Sequence, residues 1–342
     1  MKKRTFLQAV LASGSVALTA NHFLPGRQSG TPPVLQAPVP AEPPPSPLPT
    51  LVASTPQEEF ELVMLQESEL HPSYKHSERT DADVQQATEQ MSDDAVDSHL
   101  EKIRNFDANF RSDVMISEQN APLLLPTLAR LERVQNFIGH ANFNLLSFEE
   151  MLYFARNYSD IGAFEKAELA FMDEIFHADA TELGFFGEKI TPDLNHRISQ
   201  KDVEKIGGSG HYLLKGESLN HYQQIRKDVG NELLLTSGIR NNVKQMHLFL
   251  AKAFQSDGNL SRASRSLAPP GHSFHNVGDF DVGKTGLGEM NFTADFSHTP
   301  EYKRLISLGY VDIRYTDSNQ FGVRYEPWHI KLSCPSQDHI CA

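Results

Sequence analysis

Pro269-Pro270-Gly271-His272-Ser273-Phe274-His275-Asn276-Val277-Gly278-Asp279-Phe280-Asp281 sets two imidazoles and two carboxylates on thirteen residues threaded with glycine and proline. Asp279 and Asp281 alternate with Phe280 and Val282, the period of a half-buried strand, so both carboxylates face one side. Far downstream, Glu326-Pro327-Trp328-His329 adds another carboxylate and another imidazole. Histidine and aspartate from one stretch, with a distant histidine beside a glutamate, make up the donor set of an open catalytic zinc site.

The flanks of that stretch read as a mixed α+β domain. Tyr222 to Val229 has helical character, and Glu232-Leu233-Leu234-Leu235-Thr236 is a short apolar strand. It runs into Ser237-Gly238-Ile239-Arg240 and then a helix carrying Val243, Met246, Leu248, Phe249, Leu250 and Ala253. An arginine at a buried strand end is placed to bind a carboxylate or a developing oxyanion. Tyr310 to Tyr315 and Val323 to Leu332 read as a hairpin joined by Thr316 to Gly322. Glu326 and His329 stand three apart and would face opposite ways on a regular strand, so Pro327 must bend the chain for both to reach one metal.

Upstream, Leu124, Leu128, Leu131 and Val134 recur at helical spacing, as do Phe148, Met151, Leu152, Phe154 and Ala155, and a third run spans Phe164 to His177. Ser147 with Glu150 forms a capping box before the second run. A bundle of about three helices is expected there. Glu174, His177 and Asp179 follow no metal spacing and read as a satisfied helix end. Residues 31–50 hold nine prolines, which favour an extended polyproline tether, and residues 51–120 are polar and acidic with little stable structure expected beyond short helices such as Ala95–Ile103. Met1 to Arg4 is a basic n-region, followed by a mostly apolar stretch to Ala20, the shape of an export signal. No other stretch is long and apolar enough to span a membrane, so the mature chain is expected to work outside the cytoplasm, in the periplasm or cell envelope. The expected division is an export signal over 1–20, a tether over 21–122, a helical accessory region over 123–208, a catalytic domain over 209–333 and a tail over 334–342.

The formal charge of −13 argues against a nucleic-acid partner. Cys334 and Cys341 are too few for a disulfide scaffold or a thiolate zinc cage, and close a short tail loop or remain free thiols.

Three motifs in order, Ser237-Gly238-Ile239-Arg240 with Gln245, Pro270 to Gly278, and Glu326-Pro327-Trp328-His329, resemble the zinc D-alanyl-D-alanine carboxypeptidases. That group includes the vancomycin-resistance D,D-carboxypeptidases and the L,D-carboxypeptidases of peptidoglycan recycling, with a hedgehog-like fold. The resemblance covers residues 210–332. It implies a small antiparallel sheet with flanking helices, a Zn2+ cofactor and hydrolysis of peptidoglycan stem peptides. By position it implies His275, Asp281 and His329 as metal ligands, Glu326 as general base, Arg240 for the oxyanion or the substrate carboxylate, and Ser273 and Gln245 lining the site. Trp328 would pack behind the ligand strand, and Arg262 or Arg265 would meet a terminal carboxylate. Two departures stand out. Ile239 replaces the usual tyrosine, and the family spaces its histidine and aspartate seven apart where His275 and Asp281 stand six apart. Asp279 therefore competes with Asp281, and His272 with His275. The shortened spacing also supports a second hypothesis, a non-catalytic wall-binding module on a degenerate metallopeptidase fold.

Overall fold

The computed structural model describes residues 93–332. The export stretch, the proline-rich stretch and both cysteines lie outside the described residues. Among the described residues, no helix is long and apolar enough to cross a membrane.

Three of the helices are those that apolar spacing marks: Ala121–Ile138, Phe148–Asn157 and Lys166–His177, with a single turn at His140–Phe143. The Ser147 hydroxyl accepts from the Glu150 amide and the Glu150 carboxylate accepts from the Ser147 amide, so two otherwise orphaned donors are satisfied at one helix start. Glu174 accepts from Asn120 Nδ2 and Asp179 from the Thr181 amide, a closed helix end.

Strands β1 (Val203–Ile206) and β2 (His211–Leu214) form an antiparallel hairpin, which straddles the expected 208/209 boundary. Helix Glu217–Val229 follows, then β3 (Leu233–Ser237), helix Asn242–Gln255 and helix Leu260–Ser264. A four-stranded antiparallel sheet has the order β3, β4 (Phe280–Lys284), β6 (His329–Lys331), β5 (Asp312–Ile313). Phe280, Val282, Ile330 and Leu235 on this sheet bury against Tyr222 and Ile225 of helix Glu217–Val229. A second core is shared across the expected boundary: Leu128, Leu131, Phe154 and Phe171 of the helical region pack in one cluster with Val243, Met246, Phe249 and Leu250. The helical region therefore buries the back of the helix that follows Arg240, which holds that arginine's backbone in place.

Two expectations are corrected. The long hairpin contracts to the short β5 and β6. Its connection leaves the ladder because Pro327 has no amide to donate and because Asn319 Nδ2 donates to the Thr316 and Val323 carbonyls, giving the loop its own hydrogen bonds. Two ladder-like bonds continue the pairing, Arg314 N to His329 O at 3.1 Å and Glu326 N to Tyr315 O at 2.9 Å. Second, beyond the short helix expected around Ala95–Ile103, residues 105–120 also carry structure. Helix Asp93–Arg104 leads into a segment that Arg265 clamps: its guanidinium donates to the Phe106 and Ala108 carbonyls and pairs with Asp113 at 2.8 Å. The Val114 carbonyl accepts from the Leu260 amide, and Ile116 N donates to Gly258 O. A polar composition does not preclude order when one buried cation collects several carbonyls.

Candidate metal centre

His275 is carried on the short 3-10 turn Phe274–Val277. Gly278 ends that turn at φ +118°, and a Cβ there would stand 2.7 Å from Leu332 Cδ1. Glycine relieves both the backbone strain and the contact. The chain then enters β4 after a single residue, Asp279, so Asp281 becomes the second residue of the strand and the register partner of His329 on β6. Cross-strand partners sit close enough for their side chains to meet. This register absorbs the shortened histidine-to-aspartate spacing and separates the two competing aspartates.

His275 Nε2 lies 3.3 Å and His329 Nδ1 3.4 Å from Asp281 Oδ1. Nitrogen and oxygen ligands at about 2.0–2.1 Å from a tetrahedral zinc stand roughly 3.3–3.4 Å from each other, so these separations fit that ion. The donor atoms of all three residues lie within 4.8 Å of one another. All three are buried, yet His275 Nε2 and Asp281 Oδ1 make no hydrogen bond. Orphaned buried polar atoms are rare, and two aimed at one point call for a cation.

The other ring nitrogens are committed. His275 Nδ1 donates to the Gly238 carbonyl at 2.7 Å, and His329 Nε2 to Asp279 Oδ2 at 3.0 Å. Each outer bond turns the remaining nitrogen's lone pair inward. Gly238 can present its carbonyl because β2 crosses it closely; a Cβ at 238 would collide with the Tyr212 carbonyl oxygen. Asp279 is thus an outer acceptor. It receives Arg314 Nε, Arg314 Nη2 at 3.1 Å and the Leu332 amide at 3.0 Å as well as His329.

Burial alone would raise the Asp281 pKa, but His275, His329 and Arg240 outweigh it and hold it at about 2. Burial, then the Arg240 charge, pushes His275 down to about 4. His329 moves the other way: burial pulls it down, but Asp279, Glu326 and Asp281 lift it to about 9. A cation held at Nδ1 must therefore displace a proton there.

Glu326 is buried, with Oε2 3.5 Å from His329 Nδ1, so the Pro327 bend does bring both side chains to one place. Arg240 Nη2 stands 3.5 Å from Asp281 Oδ2 and its Nε is unpartnered. Gln245, expected to line the site, meets Arg240 rather than the metal-ligand cluster: its Oε1 accepts from Arg240 Nη1 and its Nε2 donates to the Ala268 carbonyl. Ser273 is buried at the start of the 3-10 turn, where its carbonyl accepts from the Asn276 amide. His272 is outside the cluster, its Nδ1 2.8 Å from Glu188 O and its ring on Phe185. Arg262 and Arg265 are taken up by Asp107 and Asp113 and do not face the cluster. Trp328 packs in the sheet core against Phe292. Sequence reading placed Gly238 in a motif without giving it a role, and missed Arg314 and Tyr315, whose ring meets His329 edge-on at 4.9 Å. The only local signal of Arg314 and Tyr315 is the alternation of a strand.

Residues 215–334 match the family model described as VanY, D-alanyl-D-alanine carboxypeptidase. No curated protein matches the chain. Among solved structures, the LdcB LD-carboxypeptidase, whose structure is described as revealing the molecular basis of peptidoglycan recognition, is 28% identical, with TM-score 0.31. That match covers 37% of this chain and 61% of the LdcB chain, so the chain spans about three-fifths of that protein's length. A mutant of the vancomycin-resistance D,D-pentapeptidase VanY from the VanB-type cassette, in complex with Zn(II), is 21% identical over 38% of this chain and 76% of its own, with TM-score 0.28. VanYB in complex with D-alanine-D-alanine is 21% identical over 38% and 75%, with TM-score 0.29.

Proposed function

We propose that this chain, whose residues 215–334 match the VanY D-alanyl-D-alanine carboxypeptidase family model, is a zinc-dependent peptidase hydrolysing peptide bonds of peptidoglycan stem peptides. The observation that carries the reading is the pair of orphaned buried donors, His275 Nε2 and Asp281 Oδ1, converging with His329 beside Glu326.

His275, Asp281 and His329 would hold the ion. Zinc bound there supplies Lewis acidity, polarising the scissile carbonyl and making water acidic enough to attack near neutral pH. Glu326 takes the proton of the attacking water and returns it to the leaving amine as the carbon–nitrogen bond breaks. Arg240, braced by Gln245, turns its unpaired Nε and fixed fork towards negative charge, either the developing oxyanion or a substrate carboxylate. Gly238 and Asp279 keep the two imidazoles in one tautomer each. The enzyme reading is supported over a binding module by the β4–β6 register, which sets Asp281 opposite His329 despite the shortened spacing. With its export-type stretch over 1–20, we place the chain in the cell envelope.

Metal analysis and digestion of defined muropeptides test this reading. Purified protein should carry about one zinc per chain. Glu326→Gln should keep zinc and lose hydrolysis, and His329→Ala should lose both. A fully active Glu326→Gln protein removes Glu326 as the base.

A further inference from the structure

Glu326 is held differently from the three residues that would bind the metal. It stands ahead of β6, in the stretch Arg324 to Trp328, which belongs to no strand. The backbone there is tied by Glu326 N to Tyr315 O and by Arg324 N to Arg265 O, both at 2.9 Å. His275, Asp281 and His329, by contrast, are fixed by the 3-10 turn and the β4–β6 register. A contact made from outside the sheet can therefore shift Glu326 without dispersing the other three.

Such a contact comes from residues 106–116, ahead of the helical region and outside residues 215–334. This segment is fastened at several points. Asp107 pairs with Arg262 at 3.3 Å and Lys252 at 3.6 Å, and Asn259 Nδ2 donates to Asp113 Oδ2 at 2.7 Å. A bridge between Met115 and Asn259 adds backbone pairing. Arg265, whose side chain clamps the segment, also lies over the Phe110 ring at 5.0 Å and offers its own carbonyl to the Arg324 amide. With the segment held this way, the Phe106 ring meets the Arg324 guanidinium, whose Cζ is 4.7 Å from the ring centroid. The same guanidinium lies over Trp328 at 5.1 Å. Its Nη2 donates to the Phe292 carbonyl at 3.1 Å, and its Nε is buried without a partner. With one of its donors unused, this cation depends on the two aromatic rings for its place. Trp328 in turn sits between Glu326 and His329 in the chain and packs in the sheet core.

We propose that Phe106 is a positioning residue, acting through Arg324 and Trp328 to hold Glu326 against the metal centre. The role of Glu326 rests on the peptidase reading, whereas the chain of contacts from Phe106 to Trp328 rests on the structure alone. A segment outside the family match thus helps to set the rate of the reaction, although it supplies neither a metal ligand nor a base.

The test compares the zinc-loaded full chain with Phe106→Ala, Phe106→Tyr and Arg324→Lys, each shown to be folded by its urea midpoint. Three quantities are read: kcat on defined muropeptides, zinc affinity by chelator competition, and acrylamide quenching of Trp328, the single tryptophan of the chain. Phe106→Ala should lower kcat about tenfold or more, since misplacing a reacting group by about 1 Å can cost about 100-fold. It should leave zinc affinity within about threefold of wild type and raise the quenching constant. Phe106→Tyr keeps the ring face and should retain wild-type values. Arg324→Lys keeps the charge but not the planar fork, so it should reproduce the Phe106→Ala result. The double variant Phe106→Ala/Arg324→Lys should be no slower than either single one, because both cut the same link. A wild-type kcat in Phe106→Ala overturns the proposal, as does a fall in kcat matched by an equal loss of zinc affinity. If the wild-type chain hydrolyses no muropeptide, the peptidase reading falls, and Trp328 quenching decides the contact chain by itself: a constant unchanged by Phe106→Ala overturns it.

Discussion

Asp279→Asn tests whether the outer carboxylate governs the metal centre. Asp279 is 1% exposed and accepts from four donors: two on Arg314, His329 Nε2 and the Leu332 amide. Asparagine keeps the shape but has one acceptor oxygen and an amide that can only donate. Whichever way it turns, an N–H faces either Arg314 or His329, and the buried guanidinium loses its counter-charge. Removing one partner of a buried ion pair costs about 3–5 kcal/mol, and the surviving oxygen places this variant near the lower end. At the metal, loss of an outer acceptor typically weakens binding about 10- to 100-fold, roughly 1.4–2.7 kcal/mol. Zinc affinity would be measured by competition with a chromophoric chelator, and stability by urea unfolding of the same preparations. Ser147→Ala provides the control, since it destabilises the helical region without touching the centre. The expected result is weakened zinc binding in Asp279→Asn alone. If Asp279→Asn binds zinc within about twofold of wild type, Asp279 serves only the fold and the tautomer argument is wrong.

The Asp113–Arg265 clamp gives a pH signature. Burial favours the neutral acid, but the Arg265 hydrogen bonds, the Phe110 amide and Asn259 hold Asp113 at about 2, below its unfolded value near 3.8. Its side chain is 3% exposed. The folded state binds this proton less readily, so the contribution is complete above pH 4 and is lost as pH falls through about 2. It amounts to about 2 kcal/mol, and Asp113→Asn should flatten the acid limb of a stability–pH curve by that order. Ser147→Ala should cost about 1 kcal/mol in urea unfolding through loss of the cap. Gly278→Ala should cost about 1–3 kcal/mol, because it combines φ +118° with a Cβ 2.7 Å from Leu332, and an unchanged midpoint would show that the turn does not need glycine.

What the sequence reveals divides along the range of the interactions. The Ser147–Glu150 box, the Leu233–Ser237 strand and helix Asn242–Gln255 are encoded within a few residues, and each appears where its spacing predicts. The choice between Asp279 and Asp281 is different in kind. Both fit the same alternation and both approach His329, one at each ring nitrogen. Only the pairing of β4 with a strand some fifty positions later, Asp281 opposite His329, decides which carboxylate joins His275. Arg265 shows the same limit. Its neighbours in sequence suggest a substrate arginine, while its partners Phe106, Ala108 and Asp113 arrive from a segment whose composition predicts little order. Gln245 and Lys244 carry the point into the chemistry. They are adjacent on one helix, yet Gln245 spends both ends of its amide on Arg240 and the Ala268 carbonyl, while Lys244 donates to Gln135 Oε1 of the helical region. Identity and spacing bring such residues to the site, and the hydrogen bonds each makes determine which of them remain available to a ligand.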